Sequence, residues 1–246
     1  MVTCYDAAFA SLIEKTAIDM VLVGDSLGNV ILGLKDTIPV TMEHMVHHTA
    51  AVARVLRRPM LVADMPFLSY NISIEQALRN AGRLIQEGGA QAVKLEGGAA
   101  IVPQVKALVA AGIPVVGHLG LTPQSIHTLG GYKVQGRGAQ GDELLADAQL
   151  LAAAGVCALV LELVPQPLAL AVTKALSVPT IGIGAGPETD GQVLVLHDLL
   201  GFNGEFTPKF LKKYANLGEL VVQAVSRYDA DVKEGHFPGP EHSFQS

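Results

Sequence analysis

Short runs rich in Val, Ile and Leu punctuate this chain at 20–24, 60–63, 92–95, 114–117, 158–161 and 180–183. They read as strands buried on both faces, the condition of a parallel sheet. A different period fills the gaps. Ile74, Ala77, Leu78, Ala81, Leu84 and Ile85 follow the three-and-four spacing of one buried helix face, and Ser73 with Gln76 resembles a capping box at its start. Met42, Met45, Val46, Thr49, Val52, Ala53 and Leu56 repeat the pattern, as do Leu144, Leu145, Ala148, Leu151 and Ala152. A first strand at 2–4 and a last one at 192–196 bring the count to eight βα units, the number that closes a barrel. The sequence therefore predicts a single-domain (β/α)8 barrel of TIM type over 1–246. An open doubly wound sheet is the alternative, because strand order is invisible in sequence.

Half of the 246 residues are apolar and 16% are charged, ample material for one large core. The formal net charge of −6 offers no basic face for a phosphate backbone, which argues against nucleic acid as a partner. No run approaches the roughly 18 apolar residues of a membrane span and no export segment opens the chain, so no membrane partner is expected and the cytoplasm is the default compartment. Cys4 and Cys157 sit in apolar runs without metal-type spacing and read as buried thiols; a disulfide between them stays open. Two segments lack periodicity: the glycine-rich stretch within 122–141, expected to lie over the barrel mouth, and 237–246, expected to be an extended arm.

In a barrel the loops after the strands build the active site, so polar residues at strand ends carry the functional reading. Four carboxylates fall there: Asp25 after the second strand, Asp64 after the third, Glu96 after the fourth and Glu162 after the sixth. Converging carboxylates repel unless a cation, a proton or a basic side chain lies among them, and an all-oxygen set favours Mg²⁺, or Mn²⁺, over Zn²⁺. Read singly, an acid such as Asp25 can instead cap the following helix or make a structural ion pair, a reading that four recurrences at equivalent positions count against. Lys94, two residues before Glu96, shares its face of the strand and reads either as a ligand for an anionic substrate oxygen or as a rim lysine. His118 ends the fifth strand, where it could donate to bound substrate. His44, His47 and His48 read as a solvated helix face rather than a metal site. Gly182-Ile183-Gly184-Ala185-Gly186 reads as a close-packed loop or an anion cradle.

These residues, in this order, resemble the ketopantoate hydroxymethyltransferase family. The resemblance rests on Val23-Gly24-Asp25-Ser26-Leu27-Gly28, Val93-Lys94-Leu95-Glu96-Gly97-Gly98, the run from Gly117-His118 to Pro123-Gln124, the glycine-rich loop, Gly182 to Gly186 with Thr189-Asp190-Gly191, and the closing Glu241-His242-Ser243-Phe244. It implies Mg²⁺-dependent transfer of a hydroxymethyl group from 5,10-methylenetetrahydrofolate to 3-methyl-2-oxobutanoate through a stabilised enolate, giving 2-dehydropantoate for pantothenate biosynthesis. It further implies Asp25 and Asp64 as metal ligands, Glu96 as a third carboxylate near the metal, Ser26, Asp64, Lys94 and His118 at the substrate, and Glu162 as general base. It implies a homo-oligomer, often a decamer. Family members carry a helix-bearing segment before the first strand, so an N-terminal cap segment is expected to be missing here. The rival readings are a Mg²⁺-dependent 2-oxo-acid barrel of the isocitrate lyase and phosphoenolpyruvate mutase type, whose Lys-Lys-Cys loop has no counterpart in this sequence, and a non-catalytic metabolite-binding barrel.

Overall fold

The computed structural model describes residues 1–244; Gln245 and Ser246, the end of the expected arm, lie outside the described residues. The chain divides into two compact units, Met1–Val195 and Leu196–Ser246.

The first unit holds eight strands in one parallel sheet, ordered along the sheet as they are in sequence. They are β1 (Val2–Thr3), β2 (Met20–Val23), β3 (Met60–Asp64), β4 (Ala92–Glu96), β5 (Val115–Gly120), β6 (Ala158–Glu162), β7 (Thr180–Ile183) and β8 (Gly191–Gln192). A parallel bridge from Val2 to Leu194, with the Thr3 N–H on the Leu194 carbonyl at 3.2 Å, joins the last strand to the first. This is a (β/α)8 arrangement, with consecutive parallel strands rather than the reversed order of a doubly wound sheet.

The helices are α1 (Ala7–Ile13), α2 (Leu27–Val30), α3 (Met42–Ala53), α4 (Ile74–Gln86), α5 (Val102–Ala110), α6 (Ile126–Leu129), α7 (Gln140–Ala154) and α8 (Gln166–Ala175). The three-and-four pattern buries Ala77, Ala81 and Leu84 of α4, and Met45, Thr49 and Val52 of α3. Burying a side chain such as Leu84 contributes roughly 1.5–3 kcal/mol. Ile74, the first residue of the expected apolar face and of the helix, is exposed. Only half of the expected capping box forms: Ser73 Oγ accepts from the Gln76 N–H at 3.1 Å, while Gln76 Oε1 is buried without a partner. A reciprocal box appears instead at α3, where Thr41 Oγ1 accepts from the His44 N–H and His44 Nδ1 from the Thr41 N–H, both at 3.2 Å.

One expected βα unit is incomplete. No helix separates β7 from β8; a loop over 184–190 makes the crossover. Gly184 and Gly186, at φ 65° and 84°, turn it back, and the Asp190 carboxylate fastens it by accepting from the Thr180 N–H at 2.8 Å and hydroxyl at 3.1 Å. Close approach accounts for the second of these glycines, since a Cβ on Gly186 would stand 2.7 Å from Gln166 Cγ.

Cys4 is buried as expected. Cys157 is exposed, contrary to expectation: it precedes β6, and only its backbone is engaged there, through its N–H on the Val115 carbonyl. Both thiols are free.

The second unit holds α9 (Leu196–Leu199) and α10 (Leu217–Glu234). No residue of α10 is buried, and Leu220, Val221, Val222, Val225, Tyr228 and Val232 are exposed. Within 237–244 a 3₁₀ turn at Pro240–His242 interrupts the expected extended course, and the Phe237 ring packs edge-on against Tyr228 at 5.6 Å between centroids. Among the described residues no helix is long and apolar enough to cross a membrane.

Candidate active site

The barrel interior explains why the polar residues meet. Leu22, Val62, Ala92, Val116, Val160 and Ile181 form one inward layer of the core. Side chains alternate along a strand, so the residues two and four positions further on also point inward, nearer the carboxyl end. Those positions are Gly24, Asp64, Lys94 and Glu96, His118 and Glu162. The register aligns Asp64 with Lys94, Glu96 with His118, and Gly120 with Glu162. Asp25 and Ser26 follow on the turn after β2. Gly24 has no room for a side chain: a Cβ there would meet Ser26 Oγ at 2.7 Å and Asp64 Oδ2 at 3.5 Å.

Asp25, Asp64, Lys94, Glu96 and His118 are each no more than 5% exposed. Lys94 Nζ stands among them, 3.1 Å from Asp64 Oδ1, 3.7 Å from Glu96 Oε1 and 3.0 Å from His118 Nδ1. The Lys94 reading as a rim lysine is therefore not what the fold adopts. His118 Nδ1 lies 3.3 Å from Glu96 Oε1, and Nε2 on its other side lies 3.4 Å from Glu162 Oε2. Glu162 is set apart, its side chain 17% exposed against 3% for Glu96, so among the acids of this group it is the more open to the mouth. Ser26 Oγ, half-buried, pairs with the Tyr5 hydroxyl at 2.9 Å.

Three residues that sequence reasoning assigned no role hold the cluster. Gln124, just beyond β5, donates through Nε2 to Asp25 Oδ2 at 2.8 Å and to the Met65 carbonyl at 2.9 Å, and its backbone N–H donates to Glu96 Oε2 at 3.0 Å. Tyr70, on the loop after β3, pairs its hydroxyl with Gln124 Oε1 at 2.9 Å and the Glu96 carbonyl at 3.0 Å. Tyr5, after β1, holds Ser26. All three lie on loops following strands, the one signal by which they were findable. The histidines of α3 take structural places: His48 Nδ1 contacts the Tyr5 carbonyl at 2.7 Å, and His44 caps its own helix.

The electrostatics follow from burial and neighbours. Burial, reinforced by the Asp64 and Glu96 charges, pushes the Asp25 carboxyl well above the usual range. Burial also raises Asp64, against the opposing pull of Lys94. Glu96 is lowered instead: burial pushes it up, but the His118 hydrogen bond, Lys94 and the Gln124 N–H together outweigh burial. Burial and Lys94 both pull His118 down, yet Glu162 and Glu96 on its two sides hold it above its ordinary value.

Among the described residues no three of His, Cys, Asp and Glu stand ready as a metal cage. The donor set nevertheless suits a hard divalent cation in kind. Asp25, Asp64 and Glu96 bring oxygen ligands only, and Asp64 Oδ1, buried beside Lys94, receives no well-directed hydrogen bond.

Backbone strain collects at this end of the barrel. Leu68 and Leu163 are the non-glycine residues in left-handed conformation among the described residues, at φ 58° and 47°. Leu163 follows Glu162 directly, and its carbonyl accepts the Gln135 N–H of the glycine-rich loop at 2.9 Å, tying that loop to the end of β6.

A (β/α)8 chain with acids, a lysine and a histidine converging at the carboxyl ends of its strands has the form of a barrel enzyme with its site at the mouth. The ketopantoate hydroxymethyltransferase family model matches residues 1–240. The 3-methyl-2-oxobutanoate hydroxymethyltransferase of Moorella thermoacetica is 60% identical over 246 residues, covering 100% of this chain and 91% of that protein. That of Syntrophus aciditrophicus is 56% identical over 245 residues, covering 99% and 90%. The chain belongs to the ketopantoate hydroxymethyltransferase family. Among solved structures it is similar to 2,3-dimethylmalate lyase, a phosphoenolpyruvate mutase/isocitrate lyase superfamily member, at TM-score 0.62 and 16% identity, covering 98% of this chain and 86% of that one. Phosphoenolpyruvate phosphomutase from Streptomyces platensis subsp. rosaceus gives TM-score 0.62 at 18% identity, covering 95% and 82%. At such identities the likeness concerns the fold alone.

Proposed function

We propose that this chain transfers a hydroxymethyl group from 5,10-methylenetetrahydrofolate to 3-methyl-2-oxobutanoate, giving 2-dehydropantoate. The observation that carries the reading is the separation of roles within one cluster: Asp25, Asp64 and Glu96 enclosed around Lys94, and Glu162 nearer the mouth behind His118.

A 2-oxo acid brings two anionic or polar oxygens on adjacent carbons and an acidic hydrogen on C3. Ser26 and Lys94 would hold the oxygens, with Asp25, Asp64 and Glu96 as the residues to bind a Mg²⁺ or Mn²⁺ ion beside them. When bound, that ion supplies positive charge where negative charge develops on the 2-oxo group. Glu162 takes the C3 proton, and His118, between Glu162 and Glu96, orients that carboxylate. The electron pair left on C3 forms the bond to the carrier's methylene carbon as one of that carbon's two carbon–nitrogen bonds breaks. Water then adds its oxygen to that carbon as the remaining carbon–nitrogen bond breaks. The carrier's two nitrogens finish with the proton from C3 and one from water. Substrate, carrier and water are thus balanced by hydroxymethylated product and tetrahydrofolate.

The exposed apolar side chains of α10, Leu220, Val221, Val222 and Val225 among them, support assembly as a homo-oligomer.

Deuterium exchange at C3 of 3-methyl-2-oxobutanoate, followed by NMR in Mg²⁺ buffer, tests the base. Glu162→Gln should slow exchange by roughly 10²–10⁴-fold. Exchange at the parent rate in a variant that still binds Mg²⁺ and substrate overturns the assignment. Adding methylenetetrahydrofolate tests the transfer: exchange without product assigns the chain to a different enolising reaction, and neither exchange nor product leaves a binding role.

A further inference from the structure

We propose that the cleft between Lys35-Asp36 and the start of the glycine-rich loop, lined also by Ile126, His127 and Tyr132, seats the bicyclic head of the tetrahydrofolate carrier. The inference rests on the reaction proposed above. That reaction needs a second, larger ligand to present its methylene carbon beside Glu162, and the acid cluster itself is too enclosed to admit one.

The cleft measures about 280 Å³, with Gly130 and Gly131 completing its wall. That is just under the usual range of ligand pockets, roughly 300–1,000 Å³, so it suits a ring system but not the whole carrier. Its chemistry fits such a ring. Tyr132 is 61% exposed, leaving an aromatic face free to stack. Asp36 accepts the Ile38 N–H on Oδ1 at 3.1 Å, and its other oxygen has no hydrogen bond among the described residues. A free carboxylate oxygen suits the adjacent N–H donors on one edge of a reduced pterin. The anionic glutamyl tail would leave the cleft past Lys35 and Lys133, whose Nζ would stand 3.5 Å from a Cβ built on Gly130.

The glycine-rich loop that forms one wall of the cleft is tied to the strand that carries Glu162, since the neighbouring Leu163 carbonyl accepts the Gln135 N–H at 2.9 Å. Burial raises the Tyr132 phenol, and the Glu162, Asp36 and Asp25 charges raise it further. Gly130 and Gly131 hold φ of 67° and 113°, which presents Tyr132 from a tight left-handed turn.

Calorimetric titration of the full-length protein with tetrahydrofolate tests the site. Asp36→Asn and Tyr132→Leu should each weaken binding by tenfold or more, Tyr132→Phe by less than threefold, and Glu162→Gln should leave it within threefold of the parent. Hydrogen exchange on the unmodified protein gives a check free of mutagenesis: tetrahydrofolate should slow amide exchange in 34–38 and 126–135. Product formation with parent affinity in both Asp36→Asn and Tyr132→Leu, or protection confined to other segments, overturns the site while leaving the reaction standing. Absence of tetrahydrofolate binding to the parent, with no product, overturns both.

Discussion

Gln124→Met keeps most of the side-chain volume and removes the amide that joins Asp25, Met65 and Tyr70. Two partners lose their bonds outright, Asp25 Oδ2 at 2.8 Å and the Met65 carbonyl at 2.9 Å. Tyr70 keeps its contact with the Glu96 carbonyl at 3.0 Å, and Glu96 keeps the backbone N–H of residue 124, also at 3.0 Å. A buried group left unpaired costs roughly 1–3 kcal/mol, more if charged. Because the groups touch one another the two penalties do not add in full, giving a loss of about 2–5 kcal/mol. For a folded unit of this size each kcal/mol moves the thermal midpoint by roughly 2–4 °C. Unfolding followed by circular dichroism in metal-free buffer should therefore show a midpoint roughly 4–20 °C below the parent. Mg²⁺ binding should weaken as well, because losing this hydrogen bond pushes Asp25 still further toward its protonated form. A midpoint within about 2 °C of the parent would refute the view that Gln124 holds the acids together.

Lys94→Met leaves Asp64 and Glu96 buried without their ammonium and should cost about 3–5 kcal/mol, seen in the same melts, with saturating Mg²⁺ recovering part of the loss; an unchanged midpoint counts against the ion pairs. Asp25 and Asp64 have folded pKa values raised above their unfolded ones, so their contribution to stability is fully present below about pH 3.9 and is lost as pH rises through the folded values. A cation that replaces those protons should thus raise the midpoint more at pH 8 than at about pH 5, and calorimetry in two buffers of different ionisation heat should detect proton release; a pH-independent increment speaks against these ligands. Val222→Glu with Val225→Glu should lower the mass measured by light scattering while the circular dichroism of the barrel persists, and an unchanged mass removes α10 from the interface.

The sheet was legible because its signal is local: a run of β-branched residues buried on two faces reads the same wherever it sits, and parity along each strand then fixes which side chains point inward. Asp64, Glu96, His118 and Glu162 were found by their place at strand ends, and Lys94 by the parity it shares with Glu96. Gln124, Tyr70 and Tyr5 were not, because what brings Gln124 to Asp25 is a contact 99 positions apart in sequence. Amides and phenols announce nothing by charge, and loops have no period. The missing helix between β7 and β8 escaped for a related reason. The clamp of Asp190 on Thr180 that allows so short a crossover is a tertiary bond between two ordinary polar residues.

The resemblance to the lyase and mutase barrels sharpens what the acids mean. Chains sharing 14–18% identity keep this architecture, so the fold sets no particular reaction and the difference must reside in strand-end side chains and the loops beyond them. A buried cluster of three carboxylates with one lysine is poorly compensated, since burial works against every charge in it. Such a cluster would be selected against if stability alone mattered; apolar residues of similar volume would pack these positions at less cost. Its presence at the mouth, braced by Gln124 and Tyr70, is what a chain must carry if the charge missing from the site is to arrive with the ligand.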